Sequence, residues 1–156
     1  MCNELSYLLR EELGDPEPIV SKTGIRGLVA AKTSLNLSEV IEKLRVIVQK
    51  RPYEFRYSLR IIPVEIVVPT DLDEVKSKAS ELALNIGQNE TFRVTVEKRF
   101  TNLHTRDFIE AAATIDRKVD LKNPDKIILI EVVGKLTGMS LIKPCGILTV
   151  IKEKML

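Results

Sequence analysis

The chain has 156 residues, enough for one ordinary domain or two small ones and too few to add a separate catalytic module. Its 24 basic residues nearly match 22 acidic ones, so the net charge of +2 does not mark a nucleic-acid binder, and the distribution of charge carries more information than the total. Two cysteines, Cys2 and Cys145, and one histidine, His104, exclude a four-ligand zinc site built from those residue types.

No apolar run reaches membrane length, because Glu65 and Glu131 interrupt the two most hydrophobic stretches. Glu4, Arg10, Glu11 and Glu12 stand where a signal peptide would be apolar, so the expected location is intracellular, in the cytoplasm, with both cysteines free.

In chain order, Leu5, Leu8, Leu9 and Leu13 have helical spacing and are stopped by Gly14 and Pro16. Residues 18–22 and 25–32 read as two strands flanking a Thr23-Gly24 turn. The run Gly24-Ile25-Arg26-Gly27 resembles the phosphate-clamping loop of KH domains, but that loop joins helices and this one joins strands. Asn36 is placed to cap a helix with Leu37, Val40, Ile41, Leu44 and Val48 on one face, ending before Pro52. Residues 53–62 alternate as a strand, with Phe55, Tyr57, Leu59 and Ile61 inward and Arg56, Ser58 and Arg60 outward. The order of helix, strand, strand, helix, strand is that of a ferredoxin-like unit without its first strand. That strand is either supplied elsewhere in the chain, absent, or lost through a misplaced start.

Residues 63–70 read as a strand tail and connector, with a domain boundary near Pro69. Thr70 followed by Asp73 looks like the start of a capping box, and Leu72, Val75, Ala79, Leu82, Ala83 and Ile86 form one apolar stripe up to Gly87. Phe92, Val94 and Val96 alternate with Arg93, Thr95 and Glu97, a strand with one buried face. A helix capped by Thr105 follows, with Phe108, Ile109, Ala112, Ala113 and Ile115 inward, as far as Arg117 or Lys118. Asp120, Asn123 and Pro124 are turn builders. Residues 127–133 suit a mid-sheet strand, and residues 136–143 and 147–151 read as the last two strands.

Between the central strand and its helix lie Lys98, Arg99, Asn102, His104 and Arg106. A strand end, a polar loop and a helix start together form a seat for phosphate. Lys98, Arg99 and Arg106 are either phosphate contacts or solvated charges; Asn102 and His104 either meet sugar hydroxyls and base edges or hold the loop. Lys143 is a further phosphate candidate. A second basic run spans residues 43–60, six basic residues against Glu54 alone, and offers Lys50, Arg51, Arg56 and Arg60. An enzyme using His104, Asp107 and Glu110 is disfavoured for want of a nucleophile and a metal set, and Gly134 and Gly138 lack the Gly-Lys-Ser/Thr ending of a P-loop.

The segment 96–107, followed by Lys118-Val119-Asp120-Leu121-Lys122-Asn123-Pro124 and by residues 130–135, resembles the THUMP domain. Leu59-Arg60-Ile61-Ile62-Pro63 adds to the likeness, which lies closest to the free-standing adaptors of tRNA cytidine acetylation. The resemblance implies an α+β protein with a ferredoxin-like domain over residues 1–69 and a THUMP domain over 70–156, together gripping the acceptor end of a tRNA. It also implies that chemistry comes from a partner acetyltransferase making N4-acetylcytidine with acetyl-CoA and ATP, the adaptor itself taking no cofactor. An RNA-binding subunit of another modification enzyme is the alternative.

Overall fold

The structure, a computed structural model, describes residues 2–155 and divides into two compact units. One runs from Val64 to Gly146; the other joins the residues up to Pro63 with those from Ile147 onward. The chain is thus α+β in both parts, but the expected cut near Pro69 falls on the last residue of a strand, and the C-terminal tail is grouped with the N-terminal unit.

The unit from Val64 to Gly146 is built on a five-stranded mixed sheet. Its strands are β4 (Ile66–Pro69), β5 (Thr91–Arg99), β6 (Lys118–Val119), β7 (Lys126–Val133) and β8 (Leu136–Ile142), in the order β4-β8-β7-β5-β6. Only the β7–β5 and β5–β6 pairs are parallel among these neighbours. β7 lies third of five, as its apolar run requires: a strand covered on both faces has no place for alternating polar residues. The alternation along β5 is also met, with Phe92 buried and Val94 and Val96 packed on the core.

Two helices, α3 (Leu72–Ala83) and α4 (Thr105–Ala112), contribute Val75, Ala79, Leu82, Phe108 and Ala112 to the same core. Residues 63–70, expected as a strand tail and connector, include a full strand, β4, paired with β8 from Ile66↔Met139 to Pro69↔Leu136. Thr70 does not cap α3. Asp71 does, its Oδ1 accepting from the N–H groups of Asp73 and Glu74 at 2.8 and 3.2 Å, while the Thr70 hydroxyl donates to the Gly134 carbonyl at 2.9 Å. Helix α4 stops at Ala112, earlier than its apolar spacing implies, and Ile109 is left exposed. Ile115 still reaches the core from the following turn, and the Arg117 Nε donates to the Ile86 carbonyl at 3.1 Å, fixing the chain on a non-helical path.

In the other unit, α1 (Cys2–Tyr7) continues as a π-helical turn, Leu8–Glu12. β1 (Ile19–Lys22) and β2 (Val29–Lys32) form an antiparallel hairpin, the second strand starting four residues later than its sequence implies. α2 (Leu37–Lys50) has the expected cap, with the Asn36 Oδ1 accepting from the Glu39 N–H at 3.1 Å, and buries Val40, Ile41, Leu44, Ile47 and Val48.

Residues 53–62 are not a strand. Pro52–Glu54 is a single 3₁₀ turn, and only β3 (Arg60–Ile61) is extended and paired, with β9 (Leu148–Thr149). Phe55 is buried as expected, but Tyr57 and Leu59 are exposed and Ser58 is buried. The last expected strand is equally short: after β9 the chain turns into α5 (Val150–Lys154). Leu148 and Val150 enter the core beside α2, and Glu153 accepts from Arg45 Nε at 3.0 Å and Gln49 Nε2 at 2.9 Å, so the helix is held by its polar face as well. Among the described residues this unit therefore holds two separate two-stranded sheets, not the single sheet of the expected ferredoxin-like domain.

Candidate nucleic-acid interface

The loop after β5 is set at both ends by regular structure. The register runs to Arg99↔Val133, and the Gly134 N–H closes the ladder on the Arg99 carbonyl at 2.8 Å. At the far end His104 is the N-cap position of α4, its N–H donating to the Asp107 carboxylate at 2.8 Å. Asp107 is accordingly a helix-start partner rather than a free acid. Between these ends Leu103 packs on the core, its N–H donates to the Thr101 hydroxyl at 3.2 Å, and its carbonyl accepts from Lys98 Nζ at 3.1 Å.

This frame presents Lys98, Asn102, His104 and Arg106, all exposed, and half-buried Arg99. Arg99 leans on Glu131, NH1 to Oε2 at 3.5 Å, a carboxylate only 7% exposed in the neighbouring strand. The Arg106 Nε pairs with Glu110 at 3.0 Å one helical turn on, with both side chains open to water. Such an exposed pair contributes little stability and exchanges readily for a phosphate.

Strand polarity decides which other residues reach this corner. β4 ends where α3 begins, and Pro69 is level with Leu136 and so with the end of β5, which places both helix starts at one end of the sheet. The two starts differ in sign. That of α3 carries Asp71, Asp73 and Glu74, whereas that of α4 follows Lys98, Arg99 and His104 with Arg106 in its first turn. An anion is favoured at the second and repelled at the first.

Lys143 does not belong to this corner. It follows Ile142, which is level with Ile127 and hence with Arg93, six residues before Arg99 and about 20 Å away along the strand. Lys135 takes its place: it is exposed in the β7–β8 turn directly beyond the residues level with Arg99. In the Gly134-Lys135 turn Gly134 has φ +60, and the nearness of Lys135 to Arg99 depends on β7 pairing in parallel with β5.

Phe100 is the second residue that sequence reasoning missed. It is 81% exposed and has φ +57, a left-handed conformation that is rare for a bulky residue and costs about 1–2 kcal/mol. Strain of this kind collects at functional positions, and here it turns a bare aromatic ring out from the middle of the basic loop. Asp120 and Asn123, in contrast, build a turn as expected: the Asp120 carboxylate accepts from the N–H groups of Lys122 and Asn123 at 3.0 and 2.9 Å.

The second basic run is uneven. Lys50, Arg56 and Arg60 are exposed, and no ion pair is formed by them among the described residues. Arg51 is engaged: it donates to both oxygens of Glu12 at 3.0 and 2.6 Å and lies 3.5 Å from Glu54, and those partners push its pKa up. Cys2 is a free thiol, and among the described residues there is no group of three side chains suited to a metal. No helix there is long and apolar enough to cross a membrane.

A mixed sheet with two helices on one face and a cationic strand-loop-helix corner defines an α+β module. The family model for the THUMP domain matches residues 69–142, from the end of β4 through β8, so this chain carries a THUMP domain. It is 26% identical over 139 residues to the uncharacterized protein MJ0421 of Methanocaldococcus jannaschii, a match spanning 85% of this chain and 36% of that protein. Among solved structures, PH1313 from Pyrococcus horikoshii has a similar fold, with a TM-score of 0.62 at 22% identity over 92% of this chain and 46% of that one. TrmN from Thermus thermophilus gives 0.58 at 13% identity, over 92% of this chain and 43% of TrmN. A 4-thiouridine synthetase solved as an RNA complex with bound ATP gives 0.57 at 16%, over 90% and 35% respectively. The chain thus spans less than half the length of each of these proteins.

Proposed function

We propose that the protein is a non-catalytic tRNA-binding adaptor, which grips the acceptor end through its THUMP domain and presents the tRNA to a cytidine acetyltransferase making N4-acetylcytidine. The observation that carries the RNA part is the corner after β5: Lys98, Arg99, Arg106 and Lys135 lie at one end of the sheet with a helix start and an outward aromatic, a combination suited to phosphates beside a base. THUMP domains are RNA-binding modules, and two proteins of similar fold are a 4-thiouridine synthetase bound to RNA and TrmN, which supports a place in tRNA modification. The adaptor role rests on the resemblance of residues 96–107 and 118–124 to that subgroup. The same similar folds favour a second reading, an RNA-binding part serving a different modification enzyme.

Binding to tRNA is measured across a salt series. Log affinity falls by roughly 0.7 to 0.9 per phosphate contact for each decade of salt. The double variant Arg99→Ala/Arg106→Ala is expected to bind more weakly and with a flatter slope; unchanged binding by the folded variant removes this corner from the interface. Capture of the acetyltransferase, together with an acetylcytidine assay with and without this protein, separates the adaptor reading from the second one.

A further inference from the structure

We infer that residues 53–60 form a second RNA surface, one that takes unpaired nucleotides, with Tyr53 and Tyr57 stacking on bases and Arg56 and Arg60 meeting the flanking phosphates. This deepens the RNA-binding reading and rests on it. The rings are 65% and 60% exposed, where strand alternation would have turned Tyr57 inward. Single exposed apolar residues are ordinary on a protein surface. Two aromatics alternating with two unpaired arginines within eight residues are a pattern of another kind, the one that single-strand binders use.

The backbone that carries them is fixed. Phe55 and Ser58 are buried and act as pegs at either side of Arg56 and Tyr57. The Glu4 carboxylate accepts from three successive N–H groups, those of Arg56 at 2.6 Å, Tyr57 at 3.1 Å and Ser58 at 2.7 Å. Lys154 Nζ donates to the Phe55 carbonyl at 2.7 Å. The rings are therefore held outward before any ligand arrives, which reduces the ordering cost of stacking.

The same contacts argue against a peptide as the occupant. Strand addition needs free backbone donors, and Glu4 has taken those of residues 56–58. Lys50, Arg56 and Arg60, exposed and forming no ion pair among the described residues, suit a polyanion. Bases inside a duplex have their faces covered by neighbouring pairs, so rings that offer stacking select unpaired nucleotides.

The chain has no tryptophan, so Tyr57→Trp introduces a single reporter into the full-length protein. A mixed-sequence single-stranded RNA of twelve nucleotides, as a probe of about one site size, is expected to quench the indole saturably, and the same strand annealed to its complement is not. In unlabelled protein, Tyr53→Ala and Tyr57→Ala should each weaken binding of the single strand by roughly 5- to 100-fold, while Tyr53→Phe and Tyr57→Phe, which keep the ring, stay within about twofold. Equal affinity of the alanine variants and the parent overturns the inference. So does self-association of the parent that both alanine variants abolish without a change in RNA affinity, which would assign the surface to a protein contact. If the parent binds tRNA with the expected salt slope but does not bind the single strand, this inference falls and the proposed function stands; if it binds neither RNA, both fall.

Discussion

The loop of residues 98–106 and the segment of residues 53–60 carry similar chemistry, cationic side chains around exposed aromatic rings, yet they are held in place by different means. In the first, position comes from regular elements: the β5 register fixes one end and the start of α4 the other. In the second, regular structure is nearly missing, and a carboxylate from α1, a lysine from α5 and two buried pegs replace it. Periodicity predicts the first arrangement because strands and helices impose it. It fails for the second because hydrogen bonds from remote side chains obey no period.

The largest effect that tests this contrast is on the scaffolds. Phe108 supports the helix side of the loop and Phe55 anchors the segment, and both are fully buried. Phe108→Ala and Phe55→Ala are each expected to cost about 3–5 kcal/mol in chemical denaturation. A loss below about 1 kcal/mol at Phe55 would mean that the ring is not the anchor of its segment.

Phe100→Gly comes next and should move two quantities in opposite directions. Removing the left-handed strain stabilises the fold by about 1 kcal/mol, while loss of the ring weakens RNA binding several-fold. Gains or losses in both together would mean that strain and binding are not linked at Phe100.

A finer distinction is made by two lysines at opposite ends of one sheet. Lys135→Ala should reduce the salt slope of tRNA binding by about 0.7 to 0.9, and Lys143→Ala should leave it unchanged. Reversal of the two would mean that the RNA runs along the other end of the sheet.

The smallest effect is acid titration of Glu4. Burial pushes this carboxyl up, but the Ser58 hydroxyl and the N–H groups of Ser58, Arg56 and Tyr57 together outweigh it and hold the group below the ordinary value of 4.5. A folded pKa below the unfolded one means that the carboxylate's contribution is complete above about pH 4.5 and is lost as the pH falls through the folded value. Amide shifts of Arg56, Tyr57 and Ser58 should therefore titrate together with a midpoint under 4.5, and a midpoint above it contradicts the tether.

Legibility in the sequence followed the same division. The Phe92, Val94, Val96 alternation, the apolar run of β7, the stripe of α3 and the Asn36 cap were all readable, since each is a local pattern enforced by backbone geometry. Lys98, Arg99, Asn102, His104 and Arg106 were readable as a group because they are neighbours in the chain. That Lys143 lies at the far end of the sheet from Arg99, and Lys135 beside it, was not legible for one reason: which end of the sheet a residue occupies depends on strand order and direction, and neither is written in one strand's composition.

By itself, then, the sequence determined strands β5, β7 and β8, the apolar stripe of α3 and the basic loop between β5 and α4, because period and charge act over a few residues. Tertiary structure alone decided that β9 pairs with β3, that Glu4 gathers the N–H groups of residues 56–58, and that Tyr53, Tyr57 and Phe100 face water. Those outcomes depend on partners up to 89 positions apart in the chain, as for Arg60 and Thr149, and such pairings are chosen by packing and hydrogen-bond satisfaction over the whole unit rather than by any local preference.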